Sequence, residues 1–202
     1  MDSTIDYYND NSTEFIYRTI NMDINGLYDK FEKEITPGCS ILDLGCGSGR
    51  DSKYFKEKGY IVTAVDPSIK MCESTKAIAD ILVIQNTAQE IEFYEEFEAV
   101  WACASLLHIP YNQLNRTLLK IVKSLKNNGI LYASWKKGNG TRCENGRIFY
   151  DMDEMRLKRY LSHLDIIEKI EVWESNDDYS NTKWINMLVK KNTNKKNIME
   201  DI

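Results

Sequence analysis

Short apolar runs alternate with amphipathic stretches along this chain. CSILDL (39–44), YIVTAV (60–65), ILVI (81–84), FEAVWACA (97–104) and ILYASW (130–135) read as buried strands, while DSKYFKEKG (51–59), SIKMCESTKAIAD (68–80) and residues 111–125 carry helical spacing. Strand and helix in strict alternation predict βαβ units, and hence a parallel, doubly wound sheet of the α/β class. Ahead of the first strand, Phe15, Ile16, Ile20, Ile24, Leu27, Tyr28 and Phe31 recur near the helical period until Pro37-Gly38, which predicts one leading helix over 12–34. Asn127-Asn128-Gly129 predicts a turn, and KKGNGTRCENGR (136–147) a polar loop leading into a helix near 153–163. The segments 166–175 and 182–191 alternate at period two around SNDDYSN, which predicts a terminal antiparallel hairpin and brings the sheet to about seven strands. We expect one domain over 1–190, with a helical cover at 1–36 and a substrate loop at 136–152, and a frayed tail at 191–202.

Composition narrows the classes. With 43% hydrophobic and 28% charged residues the chain reads as globular, and no apolar run approaches the roughly 20 residues of a spanning helix. The opening MDSTIDYYND lacks a basic region followed by an apolar stretch, so a cytoplasmic location is expected and no membrane partner. Five irregularly spaced cysteines and two histidines argue against a disulfide framework or a metal site. Cys46 and Cys103 have no basic neighbour and are expected as small buried residues. A net charge of −5 offers a phosphate backbone no long-range attraction, so nucleic acid is not the expected partner. Nothing in the pattern speaks to oligomeric state.

The densest chemistry is Asp43-Leu44-Gly45-Cys46-Gly47-Ser48-Gly49, between an apolar strand and a helix. Glycines there let the backbone turn sharply and approach a ligand closely. Asp66, followed by Pro67, falls at the end of the next strand, where a carboxylate can accept the hydroxyls of a ribose lying over the turn. A purely structural role, a tight turn with Asp66 capping the helix near Ser68, is the competing reading. Dinucleotide folds favour G-x-G-x-x-G, with the helix terminus facing a pyrophosphate. Here the third glycine comes one position early, and no Tyr-x-x-x-Lys pair is recognisable, which disfavours a nicotinamide oxidoreductase.

An acidic residue, one spacer, then G-x-G-x-G resembles the first motif of the class I methyltransferases. ILDLGCGSGRDSKYF, AVDPSIKM, QNTAQEIEF and VWACASLLHIP follow in the order of the small-molecule, TehB-like group. The resemblance implies a Rossmann-like fold and S-adenosyl-L-methionine as cofactor, with S-adenosyl-L-homocysteine as product. It implies that Asp66 binds the ribose, that the backbone from Gly45 through Cys46, Gly47, Ser48 and Gly49 lines the methionine and ribose portions, and that Thr87, Ala88 and Gln89 border the adenine. It further implies that the segment holding Ala104 passes beneath the sulfonium, and that aromatic and arginine side chains of the leading helix (Tyr8, Tyr17, Arg18) fold over the cofactor, Arg18 being able to pair with its carboxylate.

Three further expectations concern the acceptor. His108, near the fourth strand end, is the candidate general base, against the alternative that it packs a turn before Pro110. Tyr8, Trp135, Lys136 and Arg147 are candidate substrate contacts, because the loop after the fifth strand concentrates cations beside aromatics. Trp173 and Trp184 are expected in the core. The resulting expectation is direct methyl transfer to a small-molecule acceptor, the alternatives being an RNA-directed enzyme or a regulatory protein that binds the cofactor without catalysis.

Overall fold

A computed structural model describes residues 3–164, 167–177 and 180–192. Three short helices, α1 (Ser3–Asp10), α2 (Ser12–Thr19) and α3 (Asn25–Glu32), precede the sheet. Then follow β1 (Ser40–Leu44), α4 (Arg50–Glu57), β2 (Ile61–Asp66), α5 (Ile69–Ala79), β3 (Leu82–Gln85), β4 (Phe97–Ala102), a single 3-10 turn (Leu106–His108), α6 (Tyr111–Ser124) and β5 (Leu125–Lys136). The chain continues through β6 (Thr141–Glu144), β7 (Arg147–Tyr150), α7 (Glu154–Ser162), β8 (Ile167–Asn176) and β9 (Lys183–Lys191).

Seven strands form one sheet in the order β3-β2-β1-β4-β5-β9-β8, parallel through β5 and antiparallel at β9 and β8. The central parallel strands β1 and β4 are buried on both faces, which is why they read as unbroken apolar runs, whereas the edge strand β3 stays partly exposed. Period-two alternation divides them between two cores. Leu42, Val100, Leu131, Ala133 and Trp135 enter one cluster, and Ile41, Ala99, Trp101, Ile130 and Tyr132 the other. Strand order reverses between β1 and β4, so the crevice at their carboxyl ends is where this architecture holds a ligand.

Several expectations are corrected. The leading helix is not continuous: the backbone N–H of Asn25 donates to the Asp23 side chain at 2.9 Å, an Asx contact that competes with helical pairing between α2 and α3. The Asn127-Asn128-Gly129 turn lies inside β5, as an irregularity where Phe97 to Ala99 of β4 spans Leu125 to Ile130. The loop 136–147 is largely ordered as the β6–β7 hairpin. Lys191, expected in the tail, ends β9 with its ammonium on the Leu125 carbonyl at 2.6 Å; residues 193–202 of the expected tail lie outside the described residues. Among the described residues no helix is long and apolar enough to cross a membrane.

Candidate functional site

β1 delivers its chain end into the turn at Gly45, whose N–H donates to the Val65 carbonyl at 2.7 Å and ties the turn to β2. Gly45, Gly47 and Gly49 all take positive φ, at 83°, 54° and 87°. A Cβ on Gly45 would sit 2.1 Å from Ser105 Oγ, so the turn and the segment after β4 meet there. Gly49 serves differently: a Cβ would fall 2.8 Å from Thr75 Cα, so this glycine lets α4 approach α5. It does not face the cavity, which corrects its assignment as a cofactor contact.

Asp66 ends β2 buried beside this turn. One carboxylate oxygen accepts the Gly47 N–H at 3.0 Å and the other the Ser68 N–H at 2.9 Å. Ser68 itself caps α5 through its hydroxyl, so Asp66 braces the cap without supplying it. Burial raises the Asp66 carboxyl to about 6, the two backbone donors only partly offsetting that. A carboxylate has about four acceptor positions, so two donors leave it able to take up hydroxyls.

A cavity of about 880 Å³ opens over the turn. Gly45, Cys46, Gly47, Ser48, Asp66 and Pro67 line its floor, Thr87, Ala88 and Gln89 one flank, and Ala104 and His108 the segment after β4. Arg18 also lines it, but its guanidinium is half exposed and lies 3.8 Å from Glu14 of its own helix. Tyr17 is 83% exposed and points away from the cofactor region expected for it.

Beside the glycine turn lies a cluster that motif reading missed. Arg50 and Asp51, the first residues of α4, both line the cavity. The Arg50 guanidinium pairs with Asp51 through Nε at 2.6 Å and Nη2 at 3.1 Å. Asp51 also accepts the Tyr28 hydroxyl at 2.5 Å and the Trp101 indole N–H at 2.8 Å. Burial opposes the Asp51 charge, yet Arg50 and these donors outweigh it and hold the carboxyl below its ordinary value. Asp43, deeper and held by the Ser52 hydroxyl at 2.5 Å, is pushed up by burial and then by the Asp51 charge. The signal available in sequence was only that Arg50-Asp51 directly follows the glycine turn.

Both thiols of the region are inert by environment. Burial and then Asp51 push Cys103 up to about 12, and burial raises Cys46 well above the ordinary thiol value.

The far end of the cavity is built by the hairpins. Across β5 and β9, Lys136 stands directly opposite Trp184 and Ser134 opposite Asn186, so these side chains leave one face of the sheet. Trp173, opposite Asn186 on β8, shares that face. Trp173 and Trp184, expected in the core, pack partly buried against it and also line the cavity. Trp135, expected at the substrate, points to the opposite face, is fully buried and does not line it. Adjacent strand residues cannot both reach one ligand, and Lys136 is the one that does.

Tyr8 from α1 closes this end. Its hydroxyl lies 3.0 Å from Nε2 of His108, whose Nδ1 is 2.6 Å from the Ile148 carbonyl. A carbonyl can only accept, so Nδ1 carries the proton and Nε2 accepts from Tyr8. His108 is thus joined to α1 and β7 at once, and burial raises the Tyr8 hydroxyl above its ordinary value although Arg147 opposes this.

Residues 41–129 match the model of the methyltransferase domain family. A putative methyltransferase of Bacillus subtilis, YqeM, is 32% identical over 115 residues, 52% of this chain and 47% of that protein. Malonyl-[acyl-carrier protein] O-methyltransferase of Salmonella typhimurium is 36% identical over 75 residues, 33% of this chain and 30% of that protein. The matches thus span about half or less of these curated relatives. Among solved structures, the Burkholderia thailandensis 1,6-didemethyltoxoflavin-N1-methyltransferase, bound to its acceptor and S-adenosylhomocysteine, superposes with a TM-score of 0.75 at 18% identity, covering 93% of this chain and 85% of that one. The sheet order, the glycine turn and the motif sequence agree with this likeness: over residues 41–129 the chain is similar to the methyltransferase domain family, and its fold is shared with solved methyltransferases.

Proposed function

We propose that this protein moves a methyl group from S-adenosylmethionine to a small-molecule acceptor by direct displacement. The observation that carries the reading is one continuous cavity with two chemically distinct ends. A glycine turn and a buried carboxylate form one end, and side chains from two hairpins and α1 form the other. Its volume falls within the roughly 300–1,000 Å³ usual for small-ligand sites. Several of the similar proteins carry names that fit such an acceptor: 1,6-didemethyltoxoflavin-N1-methyltransferase, malonyl-[acyl-carrier protein] O-methyltransferase and ubiquinone biosynthesis O-methyltransferase.

The residues present fit the cofactor. Asp66 would hold the ribose hydroxyls, the backbone from Gly45 to Ser48 the methionine side, and Thr87 to Gln89 the adenine edge. Arg50, at the junction of turn and α4, is better placed than half-exposed Arg18 to face a carboxylate. When bound, the cofactor supplies an electrophilic methyl on a sulfonium.

The protein's own part is alignment and removal of a proton. Aligning two reactants accounts for most of the acceleration that such a displacement needs. The proton released by a hydroxyl or amine acceptor passes to the Tyr8 oxygen as the Tyr8 proton passes to His108 Nε2. High basicity of a buried tyrosinate favours this paired transfer over ionisation of Tyr8 alone. His108 therefore acts through Tyr8. Isothermal titration with S-adenosylhomocysteine and with NADH tests the base of the proposal, and tighter binding of NADH refutes it. Incubation of a metabolite extract with methyl-labelled cofactor then reads which species gains the label.

A further inference from the structure

The cation balance at the hairpin end is uneven. Arg142 is neutralised, touching Glu144 and lying 2.8 Å from Asp151, and Lys137 is drawn to Glu174 at 2.6 Å. Lys136 shares Glu144 only at 3.5 Å. Arg147 makes no ion pair among the described residues, and its Nε is buried without a hydrogen-bond partner. Both Lys136 and Arg147 line the cavity, whereas Arg142 does not.

Their aromatic surroundings fix where these charges lie. The Lys136 ammonium is 4.2 Å and the Arg147 guanidinium 5.1 Å from the centroid of the Phe149 ring, so one ring carries both. Arg147 also rests 4.3 Å from the Tyr7 ring of α1. Trp184, the register partner of Lys136 across β5 and β9, is partly buried against the core and also lines the cavity. Holding two cations this close without a full set of counter-charges is unfavourable unless an anion completes the set. The Lys136 ammonium registers that strain: burial first, then Arg142 and Arg147, lower it to about 8 against the opposing pull of Asp151 and Asp177.

Resting on the methyltransferase reading above, we propose that the acceptor is a planar molecule bearing a carboxylate or phosphate. Lys136 and Arg147 grip the anionic group, and Trp184 receives the ring. The anion is an anchor and not the methylated atom. Its place on the hairpins leaves the acceptor's remaining end to face Tyr8 and the segment after β4.

The experiment measures binding of four probes to wild-type protein saturated with S-adenosylhomocysteine: benzoate, its neutral isostere benzamide, phenyl phosphate and acetate. We expect benzoate or phenyl phosphate to bind about tenfold or more tightly than benzamide, and the tighter of the two identifies the oxyanion. Acetate should bind weakly; acetate matching benzoate would overturn the planar requirement. Arg147→Met and Lys136→Met should each remove most of the preference for benzoate over benzamide while S-adenosylhomocysteine affinity, the check on folding, stays within about twofold. Equal binding of benzoate and benzamide to the loaded wild-type protein overturns the proposal and leaves the cofactor reading intact. Selective benzoate binding without any S-adenosylhomocysteine binding keeps the anionic subsite and overturns the methyltransferase reading.

Discussion

If Asp66 holds the ribose as proposed, cofactor affinity should depend on pH in a way that can be worked out beforehand. Its carboxyl moves from 3.8 to about 6 on folding, chiefly through burial. A raised carboxyl pKa means that the folded state binds the proton more tightly. The stabilisation from protonating Asp66 is fully present below about 3.8 and lost as pH rises through about 6; at neutral pH the buried charge costs about 3 kcal/mol, at 1.36 kcal/mol per unit. Ribose hydroxyls can donate only to the ionised form. At pH 5 about one tenth of the unliganded protein has Asp66 ionised, so affinity for S-adenosylhomocysteine should fall about tenfold between pH 7.5 and pH 5. Asp66→Asn should weaken binding at pH 7.5 by roughly 100-fold, since two hydrogen bonds to a charged acceptor are worth roughly 1.5 kcal/mol each or more. Its affinity should lack that pH dependence. Calorimetric titration of both proteins from pH 5 to 8 is the measurement, with the Asn variant subtracting the titration of Asp43 and other groups. A wild-type affinity that stays level across this range would refute the ribose assignment.

Other outcomes follow from the same geometry. Gly45→Ala, which combines a φ of 83° with a Cβ 2.1 Å from Ser105 Oγ, should cost about 2 kcal/mol or more in urea unfolding. Asp51→Asn, which leaves the buried Arg50 charge without its counter-ion, should destabilise by roughly 3–5 kcal/mol; a loss below about 1 kcal/mol would mean that Arg50 finds another partner. Tyr8→Phe should lower stability by only about 1 kcal/mol while reducing turnover more than cofactor affinity, and turnover equal to wild type would remove the proton route through His108. Trp135→Phe removes a buried indole N–H that has no partner, so it should leave acceptor binding unchanged and cost less than the roughly 3–5 kcal/mol of a large core deletion.

The proposed cofactor end of the cavity was legible because its chemistry is local. Gly45 to Ser48 are consecutive, and Asp66 is placed by the end of the very next strand, so spacing alone brings them together. The acceptor end was legible only in composition. The cations of 136–147 were recognisable as a cluster, but which of them meet the cavity depends on which carboxylates capture the others, and Asp151 and Glu174 come from separate elements.

Trp135 and Trp184 show the same division. Both are tryptophans in apolar strands, and neither carries a local mark of its fate. Register between β5 and β9 pairs Trp184 with Lys136 and leaves it partly buried at the cavity, while Trp135 is fully buried in the core. Likewise nothing in α1 announces that Tyr8 will meet His108, because that contact joins residues 100 positions apart. Period and glycine spacing determined the α/β rhythm, the cofactor turn and its acidic partner, since these arise from neighbours along the chain. Only the tertiary structure decided which side chains line the hairpin end of the cavity, because strand register and charge capture are long-range pairings that no single segment encodes.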